Sequence, residues 1–216
     1  MKKIIVFALV LAVFIIPPLQ TQFFSPPKIA EIQAVYPFPV FLLAVFAFSL
    51  YRFYSLKELQ EKIKRAPIVF CISFSTICFG TLCLFSAAFE FLSFFLKIES
   101  NQKILPPQNA IQWINFAVGT PCAAFSEEFV YRLFLPEQIS QIIGRKKKIF
   151  RILAEVVPLA LFSAGHFYLG FFGVANAVAG GIALRLCIIK SRSLFSNVVV
   201  HALYNFCSFA LLWILN

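Results

Sequence analysis

Aspartate is absent from the 216-residue chain, so glutamate supplies all nine of its acidic side chains. This absence excludes any mechanism that needs a pair of aspartates and any aspartate-rich metal motif. Histidine is almost as scarce, since only His166 and His201 occur. The HExxH segment, which places two histidines and a glutamate around zinc, is also missing. Acid–base chemistry in this chain therefore depends on a short list of residues.

The six cysteines lack the close spacing of metal sites and redox motifs. No CxxC pair occurs, and all six residues lie inside apolar segments, which indicates small buried hydrophobic residues rather than disulfides or zinc ligands. Cys122 lies about a turn and a half from Glu127. It has no base on its own helix face, which makes it a poor candidate nucleophile. The six are Cys71, Cys78, Cys83, Cys122, Cys187 and Cys207.

Charged residues are few for a chain of this length. They make up 13% of the sequence, against 61% hydrophobic residues, and 29 residues are phenylalanine. The mean hydropathy is +0.87. Long apolar stretches recur from end to end, which is typical of a polytopic membrane protein. The net charge of +10 does not indicate a nucleic-acid partner, because the basic residues cluster between apolar runs, where membrane proteins carry them.

Seven apolar stretches are candidate membrane spans, given that a spanning helix needs about 20 residues. The first begins MKKIIVFALVLAVFII and has the composition of a signal peptide. No small-residue cleavage site follows it, so we interpret it as a helix. We therefore predict an all-α, polytopic transmembrane helix bundle. Its candidate spans are 4–20, 38–54, 68–96, 111–135, 153–170, 173–189 and 194–215.

The basic residues predict the orientation of the bundle. With the N-terminus in the cytoplasm, all but three of the lysines and arginines that flank the spans fall on the cytoplasmic side. Arg185 belongs to this cytoplasmic set, and the three exceptions are Lys28, Lys97 and Lys103. We expect an integral protein of the plasma (inner) membrane, with residues 55–66 as an amphipathic cytoplasmic helix. We divide the chain into N-terminal transmembrane helices with this cytoplasmic segment, 1–110, and a functional core of four helices, 111–216.

Three charged residues interrupt the fourth apolar run, in the stretch AFSEEFVYRLFLPE at 124–137. An ionisable group at the centre of a spanning helix costs roughly 2.5–3.5 kcal/mol on insertion scales. On a helix, Glu128 and Arg132 are four residues apart and can pair, whereas Glu127 points about 100° away from Glu128. Two interpretations stay open at this point. One is a buried ion pair that fixes helix packing, and the other is a structural pair beside one working carboxylate.

Both histidines lie in apolar helices of the C-terminal portion. FSAGH puts Phe162 four residues before His166, and HALYN puts His201 four residues before Asn205, so each pair shares a helix face. A single membrane histidine is more often a packing or hydrogen-bonding residue than a catalyst. Measured from the basic flanks, however, Glu127 and both histidines fall within about 10–20 Å of the cytoplasmic edge. If they converge in one cavity, they can activate water and stabilise an oxyanion.

Three motifs occur in order along this portion: EEFVYR fits EExxxR, FSAGH fits FxxxH, and HALYN fits HxxxN. Together they resemble the CPBP family of intramembrane proteases. That family includes the type II CAAX prenyl endopeptidases, the Rce1-like proteins, and bacteriocin-processing or immunity proteins. The resemblance covers residues 111–216, every motif position is filled, and it implies a four-helix catalytic core of an endopeptidase there.

The resemblance also implies a role for each motif residue. Glu127 would be the general base that activates the attacking water, and His166 would hold that water with it. His201 and Asn205 would donate hydrogen bonds to the oxyanion of the tetrahedral intermediate. The supporting residues would be Glu128, Arg132 and Phe162.

The cofactor and the activity class stay open at this stage. A glutamate and two histidines suit zinc, but Asn205 is a poor zinc ligand and the Rce1-like proteins resemble metal-independent glutamate proteases, so we expect no cofactor. The expected partners are a peptide or protein substrate at the membrane and the lipid bilayer, with no nucleic acid. The alternatives are a non-catalytic immunity or scaffold protein of the same fold, and a small proton-relay transporter, which the missing inverted repeat disfavours.

Overall fold

The structure, a computed structural model, describes residues 2–24, 32–33, 35–54, 67–98, 104–144 and 147–215. The cytoplasmic helix expected at 55–66 lies outside these residues. The α-helices of the described part, numbered in chain order, are α1 (Lys2–Val10), α2 (Ile16–Phe24), α3 (Phe38–Tyr54), α4 (Ile68–Leu96), α5 (Ala110–Glu127), α6 (Leu135–Ile143), α7 (Lys148–Ala164), α8 (Gly170–Ser191) and α9 (Leu194–Leu215).

Two π-helical segments and one 3-10 helix extend some of these helices into longer stretches. Leu11–Ile15 joins α1 to α2, Glu128–Phe134 joins α5 to α6, and Phe167–Leu169 leads into α8. The described residues therefore contain seven continuous helical stretches, at the positions of the seven apolar runs. The prediction of an all-α membrane bundle is confirmed.

Three of the described helical stretches are long and apolar enough to cross a membrane: Ile68–Leu96, Phe167–Ser191 and Leu194–Leu211. Two shorter apolar helices are Ile4–Gln20 and Phe38–Arg52. Many of their large apolar side chains, Phe94 for example, are exposed, which is unfavourable in water but suits contact with lipid. The chain is an integral membrane protein.

The helices pack around a core that the N-terminal and C-terminal portions share. Helix α4 lies along α8, α3 and α9 pack on α5, and α7 contacts both α6 and α8. Val10 and Phe14 of the first helical stretch belong to the main cluster of buried apolar residues, together with Phe129, Leu135 and Val198. The first predicted span is therefore part of the packed bundle.

The fourth predicted span, 111–135, is longer and less regular than expected. The helix is π-helical over Glu128–Phe134 and then continues as α6 to Ile143. Pro136 has no N–H for the carbonyl of Arg132, four residues earlier, so a regular α-helix cannot run through this point without losing a hydrogen bond. Segments of π-helix of this kind are frequent at functional sites.

The fifth predicted span, 153–170, ends earlier than expected. Helix α7 stops at Ala164, and His166 lies in the following turn rather than in the helix. The connection ends at Gly170, whose φ of 76° is accessible to glycine but strained for other residues. His166 therefore lies at the open end of a helix, where carbonyl groups lack helical donors.

Two short extended segments connect distant loops. Ile32–Gln33 pairs in parallel with Ile104–Leu105. This pairing brings the residues before α3 next to the residues before α5. The N-terminal portion thus lies against the helix that carries the two adjacent glutamates.

Candidate active site

Glu128 occupies the centre of a buried polar cluster. Its side chain is 0% exposed, and its Oε1 lies 3.6 Å from Arg132 Nε and 2.8 Å from His201 Nδ1. Its Oε2 accepts a hydrogen bond from Asn197 Nδ2 at 2.5 Å. These three partners replace the water molecules that would solvate the carboxylate outside the bundle. Without such partners, a buried charge would be strongly destabilising.

The Arg132 side chain that pairs with Glu128 is packed against an aromatic ring. This side chain is buried, and its Cζ lies 3.6 Å from the centroid of the Phe162 ring, a cation–π contact. The Phe162 ring also packs against the rings of His166 and Tyr131, with centroids 4.6 and 5.4 Å away. On α8, a Cβ added at Gly181 would lie only 2.6 Å from Leu159 Cδ1, so glycine allows α8 to approach α7 closely beside this ring.

His201 lies between the two adjacent glutamates. Its Nδ1 binds Glu128, and its Nε2 lies 3.7 Å from Glu127 Oε2, which is beyond hydrogen-bond distance but close enough for electrostatic attraction. A carboxylate only accepts hydrogen bonds, so the Nδ1 of His201 carries a hydrogen. Glu127 itself is 34% exposed and forms no other ion pair or hydrogen bond within the described residues. One carboxylate is thus fully engaged and its neighbour is largely free.

His166 has one ring nitrogen engaged and one free. Its Nδ1 lies 2.9 Å from the carbonyl oxygen of Phe162. Because a carbonyl only accepts, the hydrogen is on Nδ1, and in the neutral ring Nε2 keeps its lone pair. The ring lies against Tyr168 with centroids 6.2 Å apart and within electrostatic range of the Glu127 carboxylate.

Helix α9 presents three polar side chains at intervals of four residues, in the segment NVVVHALYN at 197–205. Asn197 is 0% exposed and bonds Glu128. Asn205 lies one turn beyond His201, and its amide makes no hydrogen bond to any described residue. Asn197 is not among the residues predicted from the sequence, although the four-residue spacing that links His201 to Asn205 also points back to it.

A second ion pair, also missed from the sequence, lies beside the cluster. Arg185 donates from Nε and Nη2 to the two carboxylate oxygens of Glu155, at 2.6 and 2.7 Å. Its Nη1 donates to the backbone carbonyl oxygen of Arg132 at 2.5 Å. This is the carbonyl that Pro136 leaves without a helical donor. Arg185 therefore joins α7 and α8 to the π-helical segment.

The described residues contain no group of three or more histidine, cysteine or glutamate side chains placed to hold a metal ion. The Nδ1 atoms of both histidines are engaged by oxygen atoms, which leaves only their Nε2 atoms for another ligand. The expectation of a metal-independent site stays a prediction.

Part of the chain is similar to a known protein family. Residues 109–207 match the family model described as Type II CAAX prenyl endopeptidase Rce1-like, which confirms the resemblance drawn from the three motifs. No curated protein and no solved structure matches the chain significantly. The match includes Glu127, Glu128, His166, His201 and Asn205, and the family it describes is one of proteases.

Proposed function

We propose that the Rce1-like domain at residues 109–207 is an intramembrane endopeptidase that hydrolyses a peptide bond of a membrane-associated peptide or protein. The observation that carries this proposal is the contrast between two adjacent carboxylates. Glu128 is 0% exposed and bound by three side chains, whereas Glu127 is 34% exposed and faces His201. A general base in hydrolysis needs a carboxylate that water can reach, and the buried Glu128 cluster fixes the residues around it.

Glu127 is the general base of this mechanism. It takes a proton from a water molecule as the water oxygen attacks the carbonyl carbon of the scissile bond. His166 directs its Nε2 lone pair to the same water, because its Nδ1 hydrogen is held by the Phe162 carbonyl. Glu127 then returns the proton to the leaving amine nitrogen when the carbon–nitrogen bond breaks.

His201 and Asn205 stabilise the oxyanion of the tetrahedral intermediate. With the Nδ1 hydrogen of His201 engaged by Glu128, the ring can donate from Nε2 only in its doubly protonated form. The carboxylates of Glu127 and Glu128 balance that positive charge, and Arg132 in turn balances the charge of Glu128. The amide of Asn205, which makes no hydrogen bond to the described residues, supplies the other donor. In a site that excludes bulk water, such fixed donors stabilise an oxyanion more than they would in solution.

The experiment compares the membrane and secreted proteins of cells that carry the wild-type chain or the Glu127→Gln variant. Glu90→Gln is the matched control, because Glu90 also interrupts an apolar helix but is exposed and lies on α4, apart from the cluster. We expect a protein that stays uncleaved with Glu127→Gln and His166→Ala and is cleaved normally with Glu90→Gln. Identical protein profiles in all strains would support the non-catalytic alternative instead.

A further inference from the structure

A short segment outside the family match lies against the helix that carries Glu127. The backbone N–H of Tyr36 donates to Asn115 Oδ1 at 2.7 Å, and Asn115 Nδ2 donates to the Tyr36 carbonyl oxygen at 3.1 Å. One amide side chain therefore satisfies both backbone groups of Tyr36, as a neighbouring strand would. The two residues are 79 positions apart, so this contact is a tertiary feature.

The Tyr36 side chain fills a gap in the surface of α5. A Cβ added at Gly119 would lie 2.7 Å from Tyr36 Cβ and still closer to its ring, so only glycine leaves room for it. The ring stacks on Phe116, with centroids 6.1 Å apart and planes inclined by 25°. Its hydroxyl lies 3.4 Å from the hydroxyl of the buried Thr120. Backbone, ring and hydroxyl are therefore all fixed.

This position is on the same side of α5 as Glu127. Thr120 and Glu127 are seven residues apart, which is about two helical turns, so their side chains share a face. Side chains on a helix lean towards its N-terminus, so Glu127 leans towards Tyr36. The Glu127 carboxylate is within electrostatic range of the phenols of both Tyr36 and Tyr168. Burial raises the pKa of Tyr36, so its hydroxyl stays protonated at neutral pH.

We propose that Tyr36 is a specificity-determining residue of this site, whose ring forms the wall of the substrate cleft on the side of the α5 N-terminus. The wall limits how far an extended peptide reaches past Glu127 in that direction. The inference rests on the proposed peptidase function. It also assigns part of the site to the N-terminal portion of the chain, which the family match does not include.

The first test measures access to position 127 and needs no activity. Glu127→Cys is treated with a small, charged thiol reagent from each side of sealed membrane vesicles, and labelling at position 127 is quantified by peptide mass spectrometry. Adding Gly119→Ala displaces the Tyr36 ring from α5. We expect labelling at position 127 from one side to become about tenfold faster, because conformations in which the ring no longer covers the site become populated. Gly80→Ala is the matched control, because a Cβ there meets nothing within 4 Å.

Tyr36→Ala should have the same effect as Gly119→Ala, and Tyr36→Phe, which keeps the ring, should label like the parent. This pair separates removal of the wall from any loss of folding caused by the added methyl group. Equal labelling rates with Tyr36→Ala and Tyr36→Phe would overturn the proposal.

The second test uses activity. A synthetic peptide library is digested in detergent micelles by proteins that retain Glu127, and cleavage sites are read by mass spectrometry. We expect Tyr36→Ala to accept larger residues on one side of the scissile bond, and Tyr36→Phe to keep the wild-type pattern. An unchanged pattern with active Tyr36→Ala overturns the specificity role but leaves the peptidase function intact. If labelling responds as expected but the wild type cleaves nothing, the peptidase function fails, and the specificity role fails with it.

Discussion

His201 Nδ1 lies 2.8 Å from Glu128 Oε1, and this contact distinguishes the environments of two adjacent glutamates. It holds Glu128 inside the bundle together with Arg132 and Asn197. It also turns the other ring nitrogen of His201 towards Glu127, at 3.7 Å. Two neighbouring residues of the same type thus have different environments, and they should respond differently to the same substitution.

Glu127→Gln and Glu128→Gln form the most direct comparison. Glu127→Gln should lower peptidase activity about 100- to 10,000-fold, because it removes the proposed general base. It should leave thermal unfolding unchanged, since the Glu127 side chain forms no hydrogen bond to the described residues. Glu128→Gln leaves Arg132 buried without its counter-charge and should destabilise the fold by about 3–5 kcal/mol. Unfolding in detergent and cleavage assays measure both. A Glu128→Gln protein as stable as wild type would contradict the assignment.

Asn197 should affect both stability and activity. Asn197→Ala removes a donor from the fully buried Glu128 and should destabilise the protein by about 1–3 kcal/mol. Activity should also fall, because Glu128 positions His201. Asn176→Ala is the control, since Asn176 also joins two helices, through Tyr204 at 3.0 Å, but does not contact Glu128. If both variants retain full activity, Asn197 has a packing role only.

Arg185 should stabilise the π-helical segment through the Arg132 carbonyl more than through Glu155. The ion pair is partly exposed, at 27% and 46%, so Glu155→Gln should cost at most about 1 kcal/mol. Arg185→Met also removes a charged donor from a carbonyl and should cost about 1.5–3 kcal/mol. Thermal unfolding of the two variants in detergent measures the difference. Equal effects would assign the stabilisation to the ion pair.

Metal removal should leave the activity unchanged. The Nδ1 atoms of both histidines are engaged by oxygens, and the proposed mechanism activates water with Glu127 and His166, without a metal ion. We therefore expect purified protein to contain far less than one zinc per chain and to keep its cleavage rate in a chelator. One bound zinc per chain, with activity that a chelator abolishes and zinc restores, would replace the glutamate mechanism by a metal-dependent one.

The sequence by itself determined the class of the fold and the short list of candidate residues. Apolar runs of spanning length predict membrane helices wherever they occur, because the bilayer leaves few other ways to satisfy backbone groups. The scarcity of acidic residues and histidines drew attention to Glu127, His166 and His201. The four-residue spacing of Glu128 and Arg132 was sufficient to predict their pairing, since neighbours on one helix depend on local geometry only.

Only the tertiary structure decided how these residues divide their roles. Glu128 meets His201 across 73 positions, Arg185 meets Arg132 across 53, and Tyr36 meets Asn115 across 79. The local pattern also failed where Pro136 interrupts the hydrogen bonds of the fourth helix and where α7 ends before His166. The periodicity of a helix fixes which side chains share a face. Which face meets which neighbour depends on how the helices pack, and that is a property of the whole bundle.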